Sequence, residues 1–300
     1  MTERYDFLGV GGLAVDWMIA LAQPLPLADE KYPARWIGKQ PGGFIANATC
    51  AAARLGLRTG YVGWTGDDAD ADLLADDFRA HGVDPAGLLR VPGEPTPFTV
   101  VITDSTARRA ILLPDSPLYD QPLAPDHLAL ARRSRVVYTY PRDTAWVAAL
   151  ADAAHAGGGW LALDVESAVP LRGPALRAAI DRAEMVFIPR DTLAALHAGP
   201  LRESVRPGQW IVMTGGGEGA WGIAAGMAEP VHQPARRVAA ADTTGAGDCF
   251  HAALIAARLD GASLAEALAF ASAAAALKVQ HRGARGGLPT RAEVETFLAT

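Results

Sequence analysis

Short apolar runs alternate with helical patterns along most of this 300-residue chain, and that alternation constrains the fold more than any other feature. Runs rich in Val, Ile and Leu recur at residues 6–11, 59–64, 134–140, 159–165, 184–189 and 209–214. Helical patterns lie between them at about 44–55, 69–81, 143–156, 174–182 and 190–198. The runs are continuously apolar, as strands buried on both faces must be. Repetition of this kind predicts an α/β fold: a doubly wound, mostly parallel sheet flanked by helices. Gly56, Gly82 and Gly157 follow three of the helical patterns, where glycine accepts the left-handed conformation that closes a last turn. Further along, Ser263 with Glu266 and Thr290 with Glu293 carry the spacing of capping boxes that open two more helices.

Two regions break the alternation. Residues 12–40 are extended and punctuated by proline, and residues 96–113 read as two strands joined by a polar turn around Asp104 to Thr106. A small β-sheet lid built from about 12–40 and 96–113 is expected over a single α/β domain spanning 1–300. Trp17, Ile19, Phe98, Val100 and Ile111 give this sheet an apolar surface, and a homodimer through the lid would cover it.

Composition excludes several classes. A formal charge of −6, with no run of Lys or Arg interleaved with aromatics, argues against a nucleic-acid partner. No apolar stretch is long enough to span a bilayer, and MTERYDFLGVGG lacks the pattern of a secretory leader, so a soluble cytoplasmic protein is expected. Cys50 and Cys249 lie in apolar, Ala-rich stretches and read as buried thiols, and no CxxC or HExxH spacing supports a zinc site.

Chemistry concentrates at residues 242–248, Asp-Thr-Thr-Gly-Ala-Gly-Asp, directly before the apolar helical stretch Cys249 to Leu259. A helix N-terminus offers unpaired N–H groups and the positive end of the macrodipole. Gly245 and Gly247 let backbone approach a phosphate, and Asp248 sits in the first turn aimed at the same place. A carboxylate beside an anion cradle suits phosphoryl transfer, the cradle steadying developing charge while the carboxylate takes a proton. A Gly-rich turn with aspartate as an ordinary helix cap would write the same short string.

DTTGAGD followed by CFHAALIAARLDG resembles the C-terminal signature of the ribokinase-like (PfkB-type) carbohydrate kinases. Four further segments in order are similar to the family: GGLAVD at 11–16, the stretch from Gly42 to Asn47 running on to Asp68, MTGGGEGAW at 213–221, and HRGARGGLP at 281–289. The resemblance covers nearly the whole chain. It implies an enzyme that moves the γ-phosphate of ATP, with Mg²⁺, to an alcohol group of a sugar. Asp248 would be the general base, and the backbone from Thr244 through Gly245, Ala246 and Gly247 the anion hole. Asp16, Gly42, Gly43 and Asn47 would hold sugar hydroxyls; a carboxylate can accept from two adjacent hydroxyls at once. Thr214, Gly216, Gly219, Thr244, Ser272 and Ala275 would line the nucleotide site. Asp242 would be a contact for a monovalent cation such as K⁺, or simply a solvated carboxylate.

The pattern looks closest to the ketohexokinase and sulfofructose kinase side of the family, on DEKYPARWIGKQPGGFIAN, DFRAHGVD and RRAILLPDSPL. Lys31 and Arg142 stand where the sulfosugar kinases hold the anionic end of their substrate, and both also read as solvated surface cations. Arg190-Asp191-Thr192-Leu193 replaces the Asn-x-x-Glu that the family uses near Mg²⁺, so a different metal surround is expected. Two other readings share these motifs: a nucleoside kinase, if Trp17 and Trp36 form a stacking wall, and a sugar- or nucleotide-sensing protein without turnover.

Overall fold

The computed structural model describes residues 4–25, 31–106, 108–166, 169–190 and 205–299. From the N-terminus these form β1 (Tyr5–Val10), β2 (Ala14–Leu21), β3 (Ala34–Gly42), α1 (Phe44–Arg54), β4 (Thr59–Thr65), α2 (Ala69–Ala80) and β5 (Val83–Arg90). Next come β6 (Phe98–Thr103), β7 (Arg109–Leu112), α3 (Pro125–Arg132), β8 (Ser134–Thr139), α4 (Thr144–Ala156), β9 (Trp160–Asp164) and α5 (Gly173–Ile180). The last stretch holds β10 (Met185–Pro189), β11 (Trp210–Thr214), β12 (Ala220–Ala224), β13 (Val231–Gln233), α6 (Ala246–Leu259), α7 (Leu264–Lys278) and α8 (Arg291–Leu298). The helical pattern read at 190–198 falls almost wholly outside the described residues.

Nine strands form the main sheet in the order β13-β12-β11-β10-β9-β8-β1-β4-β5. Pairing is parallel from β11 through to β5 and antiparallel at β11–β12 and β12–β13. Two buried clusters, one on each face, are built from alternate residues of the same strands: Phe7 and Tyr138 on one side, Leu8 and Val137 on the other. This is the doubly wound α/β architecture that continuous apolar strands require. The chain winds outward from β1 through β4 to β5, then returns to the other side of β1 at β8. Such a switch opens a crevice at the strands' C-terminal ends, where α/β proteins bind ligands.

β5 had no apolar run to announce it, because Pro85 and Gly87 interrupt VDPAGLLR. It tolerates them as the edge strand, where a missing N–H goes unmissed. A second, four-stranded sheet has the order β3-β2-β6-β7. Its β6–β7 turn is fixed by Asp104, whose Oδ1 accepts from the backbone N–H of Thr106 at 2.8 Å and of Arg108 at 2.9 Å. On the edge strands of this sheet Trp36, Ile37, Ile111 and Leu112 are exposed, as is Leu113 just after β7, whereas Trp17 and Phe98 stack on each other at 4.6 Å and are partly buried.

Helix ends follow the expected chemistry with one correction. Gly56 (φ +94°) and Gly82 (φ +77°) are left-handed after α1 and α2. After α4, Gly157 keeps φ −93° and Gly158 takes the left-handed turn at +68°. A Cβ on Gly157 would lie 1.7 Å from the Arg132 carbonyl oxygen, so close packing, not dihedral freedom, requires glycine there. Both capping boxes form, at Ser263–Glu266 and Thr290–Glu293. Cys50 and Cys249 are buried free thiols. No helix among the described residues is long and apolar enough to cross a membrane.

Candidate active site

α6 is preceded by its N-cap Gly245, which is left-handed at φ +76° and packs so tightly that a Cβ would meet the Ala284 carbonyl oxygen at 2.3 Å. A Cβ on Gly247 would meet nothing within 4 Å, so that residue faces open space. The two glycines thus differ: Gly245 lets two loops touch, and Gly247 leaves the helix N-terminus clear for a ligand. Asp248 lies in the first turn, partly accessible, with Oδ2 accepting from Asn47 Nδ2 at 2.8 Å. Burial pushes its carboxyl up to about 7. The Asn47 bond opposes that rise, repulsion from Asp164 and Glu166 adds to it, and His251 opposes it. An aspartate with that value is poised as a proton acceptor near neutral pH.

Beneath Asp248, Tyr138 donates to Asp164 Oδ2 at 2.6 Å and lies 2.9 Å from His251 Nδ1. These three side chains are buried, and Asp164 Oδ1 and His251 Nε2 lack a hydrogen-bond partner.

Asp16 projects from β2, and its Oδ1 accepts from Thr99 Oγ1 of β6 at 2.5 Å. Burial raises its pKa against the pull of Thr99 and of Arg285. Gly42 is required here, since a Cβ would sit 2.4 Å from Asp16 Oδ2. Gly43 is required twice over: φ is +91°, and a Cβ would strike the Gly12 carbonyl oxygen at 2.2 Å. Asp16, Gly42, Gly43 and Asn47 are therefore brought together. Tyr119 joins them, its phenol raised by burial and by Asp16. Tyr119 also lines a small cavity of about 20 Å³ with Gly11, Gly12, Tyr140 and Trp146.

Arg285 was not singled out in the sequence, because an isolated arginine reads as a surface cation. Its side chain is 6% exposed and holds three partners. Nε donates to Asn47 Oδ1 at 3.0 Å, Nη2 to the Gly42 carbonyl at 2.9 Å, and Nη1 to Asp77 Oδ2. The bond to Asn47 Oδ1 fixes that amide so that Nδ2 faces Asp248. Arg285 therefore positions both Asn47, which bonds Asp248, and Gly42, which packs against Asp16. Arg109 of β7 was also missed; its Nη1 donates to Thr244 Oγ1 and lies 3.6 Å from Asp242 Oδ1. Only its place opposite 96–103 in the second sheet brings it to the anion loop.

Asp242 Oδ1 accepts from the Thr244 N–H at 2.9 Å and from Thr244 Oγ1 at 2.6 Å, and Oδ2 accepts from the Gly283 N–H at 2.9 Å. Burial acts to raise its pKa, but these bonds win and hold it below the usual value.

A cavity of about 710 Å³ opens beside the α6 N-terminus. Thr214, Gly216, Gly219, Ser272 and Ala275 all line it, as do Ala246 and Gly247. Its size lies within the range of small-molecule sites. Thr244 is not among its walls and serves the loop instead.

Lys31 is exposed ahead of β3. Arg142 does lie at the sheet's C-terminal edge, but its Nε donates to Asp143 Oδ2 at 3.0 Å and its Nη1 to the carbonyls of Tyr119 at 3.1 Å and Gln121 at 2.8 Å. It lies over the Trp146 ring at 4.0 Å, holding the Tyr119 segment in place. Asp191, Thr192 and Leu193 lie outside the described residues; Arg190 pairs with Glu218 and covers the Trp221 ring at 4.8 Å.

Comparison with known proteins fits this geometry. Fructokinase-1 of Zea mays is 30% identical over 285 residues, covering 85% of this chain and 87% of its own. The ATP-dependent ribose-1-phosphate kinase of Halopiger xanaduensis is 31% identical over 294 residues, covering 95% and 96%. Among solved structures, Arabidopsis thaliana ribokinase complexed with ribose and ATP superposes with a TM-score of 0.84 at 25% identity, covering 99% of each chain. Residues 14–291 match the pfkB family of carbohydrate kinases, and the chain belongs to that family: it is a ribokinase-like carbohydrate kinase, an enzyme that transfers phosphate to a hydroxyl group.

Proposed function

We propose that the protein transfers the γ-phosphate of ATP to a primary hydroxyl of a sugar, a ketose or an anionic sugar such as sulfofructose, with Asp248 as general base. The observation that carries this reading is the position of the Asp248 carboxylate, held by Asn47 at the α6 N-terminus, beside the cavity lined by Ala246 and Gly247. Sugar hydroxyls bond Asp16 and Asn47, which brings the acceptor hydroxyl against Asp248. Asp248 takes its proton as the oxygen attacks phosphorus. The N–H groups at the start of α6 and the macrodipole stabilise charge on the phosphoryl oxygens. Arg109, reaching Thr244 from the second sheet, adds positive charge and makes that sheet a lid over the reacting groups.

Carboxylates suited to a hard cation are present: Asp164, with a buried oxygen lacking a partner, and Glu166, both near enough to repel Asp248. They would hold Mg²⁺ through water, and the ion would neutralise the ATP phosphates. The ketose is favoured over the anionic sugar because Arg142 spends Nε and Nη1 on protein oxygens. The maize relative's name also says fructokinase. A homodimer through the exposed Trp36 and Leu112 would cover the outer surface of the second sheet, whereas the register turns Ile111 to the Asp16 face.

ATP consumption with fructose, sulfofructose, ribose and adenosine tests the reading, with Asp248→Ala as control. Fructose turnover abolished by Asp248→Ala is expected. Turnover confined to adenosine would replace the sugar with a nucleoside, and ligand-induced melting shifts without turnover on any compound would make the protein a sensor.

A further inference from the structure

Lys278 ends α7 with 0% of its surface exposed. A buried lysine is rare without partners, because an ammonium loses much of its solvation there. Its Nζ donates to the His281 carbonyl at 3.4 Å. Burial lowers its pKa, the Asp242 and Asp248 carboxylates act to raise it, and the Arg109 guanidinium acts to lower it further. The C-terminal end of α7 adds the negative pole of the helix dipole.

Two loops meet beside this end of α7. Ala241 and Asp242 donate their N–H groups to the Val279 carbonyl at 2.8 and 3.1 Å. Asp242 Oδ2 accepts from Gly283 N–H, and Gly245 packs on the Ala284 carbonyl. This is the place where the sequence suggested a monovalent cation at Asp242. The residues present do not fit one. Asp242 Oδ1 already accepts two hydrogen bonds and Oδ2 one, the His281 carbonyl faces Lys278 Nζ, and a second positive charge here would be repelled by the first.

We infer that the Lys278 ammonium is a built-in replacement for a monovalent cation, clamping the 278–287 loop to the 242–247 anion loop, so that phosphoryl transfer needs no K⁺. Two carboxylates, Asp242 and Asp248, flank the site where phosphate oxygens arrive, and a fixed positive charge beneath them offsets their repulsion. Covalent attachment keeps that charge in place in any salt. The inference rests on the kinase reading for its kinetic test but not for its melting test.

The test compares KCl, NH₄Cl and tetramethylammonium chloride at equal ionic strength, all with Mg²⁺. Wild-type turnover is expected to be the same in all three. Lys278→Met is expected to lose roughly tenfold or more in tetramethylammonium chloride and to recover in KCl or NH₄Cl, which supply a cation of similar size. Melting with a non-hydrolysable ATP analogue should show no K⁺-dependent shift for the wild type and a K⁺-dependent gain for Lys278→Met. Activation of the wild type by K⁺, or a K⁺-dependent rise in its melting temperature, overturns the inference. So does a folded Lys278→Met protein that ignores the salt in both assays. Should Lys278→Met fail to fold, the wild-type comparison decides; should no sugar be turned over, melting decides.

Discussion

Replacing Asp248 by Asn removes a titrating group while keeping an oxygen that can accept from Asn47 Nδ2. The native carboxyl is pushed up to about 7 from 3.8, chiefly by burial. A carboxyl raised in the folded state favours folding below its unfolded pKa, and that contribution is lost as pH rises through the folded value. The wild type should therefore lose stability between about pH 4 and pH 7, whereas Asp248→Asn should not. The full shift corresponds to about 4 kcal/mol, of which about 2.6 kcal/mol falls between pH 5 and pH 8. Asp248 is partly accessible, and water screening reduces the expected change to about 1–2 kcal/mol.

For a chain of this size that change moves the melting temperature by about 2–3 °C. The measurement is thermal unfolding of both proteins, ligand-free, from pH 5 to pH 8 at constant ionic strength. Groups shared by the two proteins cancel in the difference. His251 keeps its main partner, Asp164, in both. The melting temperature of Asp248→Asn minus that of the wild type should rise by a few degrees from pH 5 to pH 8. Parallel curves would refute the reasoning, because the carboxyl would then ionise alike in the folded and unfolded chains. In the same proteins, wild-type kcat/KM should fall as pH drops below about 7, and Asp248→Asn should lose about 10²–10⁴-fold in kcat.

Arg285→Met keeps an apolar stem near Phe78 but frees Asn47 and leaves Asp77 without its guanidinium; kcat should fall roughly tenfold to a hundredfold, read by steady-state kinetics. Gly42→Ala drives a methyl group into the Asp16 carboxylate, so the sugar KM should rise about tenfold or more while calorimetric ATP affinity stays unchanged. Arg109→Ala removes a charge from Thr244 and Asp242, and should lower kcat roughly tenfold with little change in sugar affinity.

Much of the fold is written in local pattern, and much of the site is not. β1, β8, β10 and β11 announce themselves because a strand buried on both faces must be apolar throughout. β5 hides because an edge strand escapes that rule. Gly43 and Gly245 are legible because a helix start with glycine at positive φ leaves a mark in the chain. Arg109, Arg285 and Lys278 leave none. A long cation is ordinarily solvated, and only the meeting of segments far apart in sequence buries it. Arg142 shows the converse: its position at a strand's C-terminal edge was readable, but the backbone carbonyls that take its donors were not.

These hidden cations resolve an apparent conflict in the charge. A chain with formal charge −6 has no overall field to attract a polyphosphate, and two of its carboxylates, Asp242 and Asp248, flank the start of α6, the proposed point of transfer. Whole-chain charge governs solubility and long-range steering; binding at a site depends on charges within a few ångströms. There Arg109 reaches Thr244 from β7, Lys278 is buried at the end of α7 where the 242–247 segment bonds Val279, and Arg285 offsets Asp77 while holding Asn47 against Asp248. Each cation is tied to backbone or to a partner side chain, so each is in place before substrate arrives and little reorganisation remains for the reaction itself. The same packing desolvates Asp248 and raises its pKa, which makes it a stronger proton acceptor at the cost of stability above neutral pH. If Asp248 is the proposed base, its hydrogen-bond partner must be fixed, and the chain fixes it through a residue 238 positions away, Arg285 on Asn47.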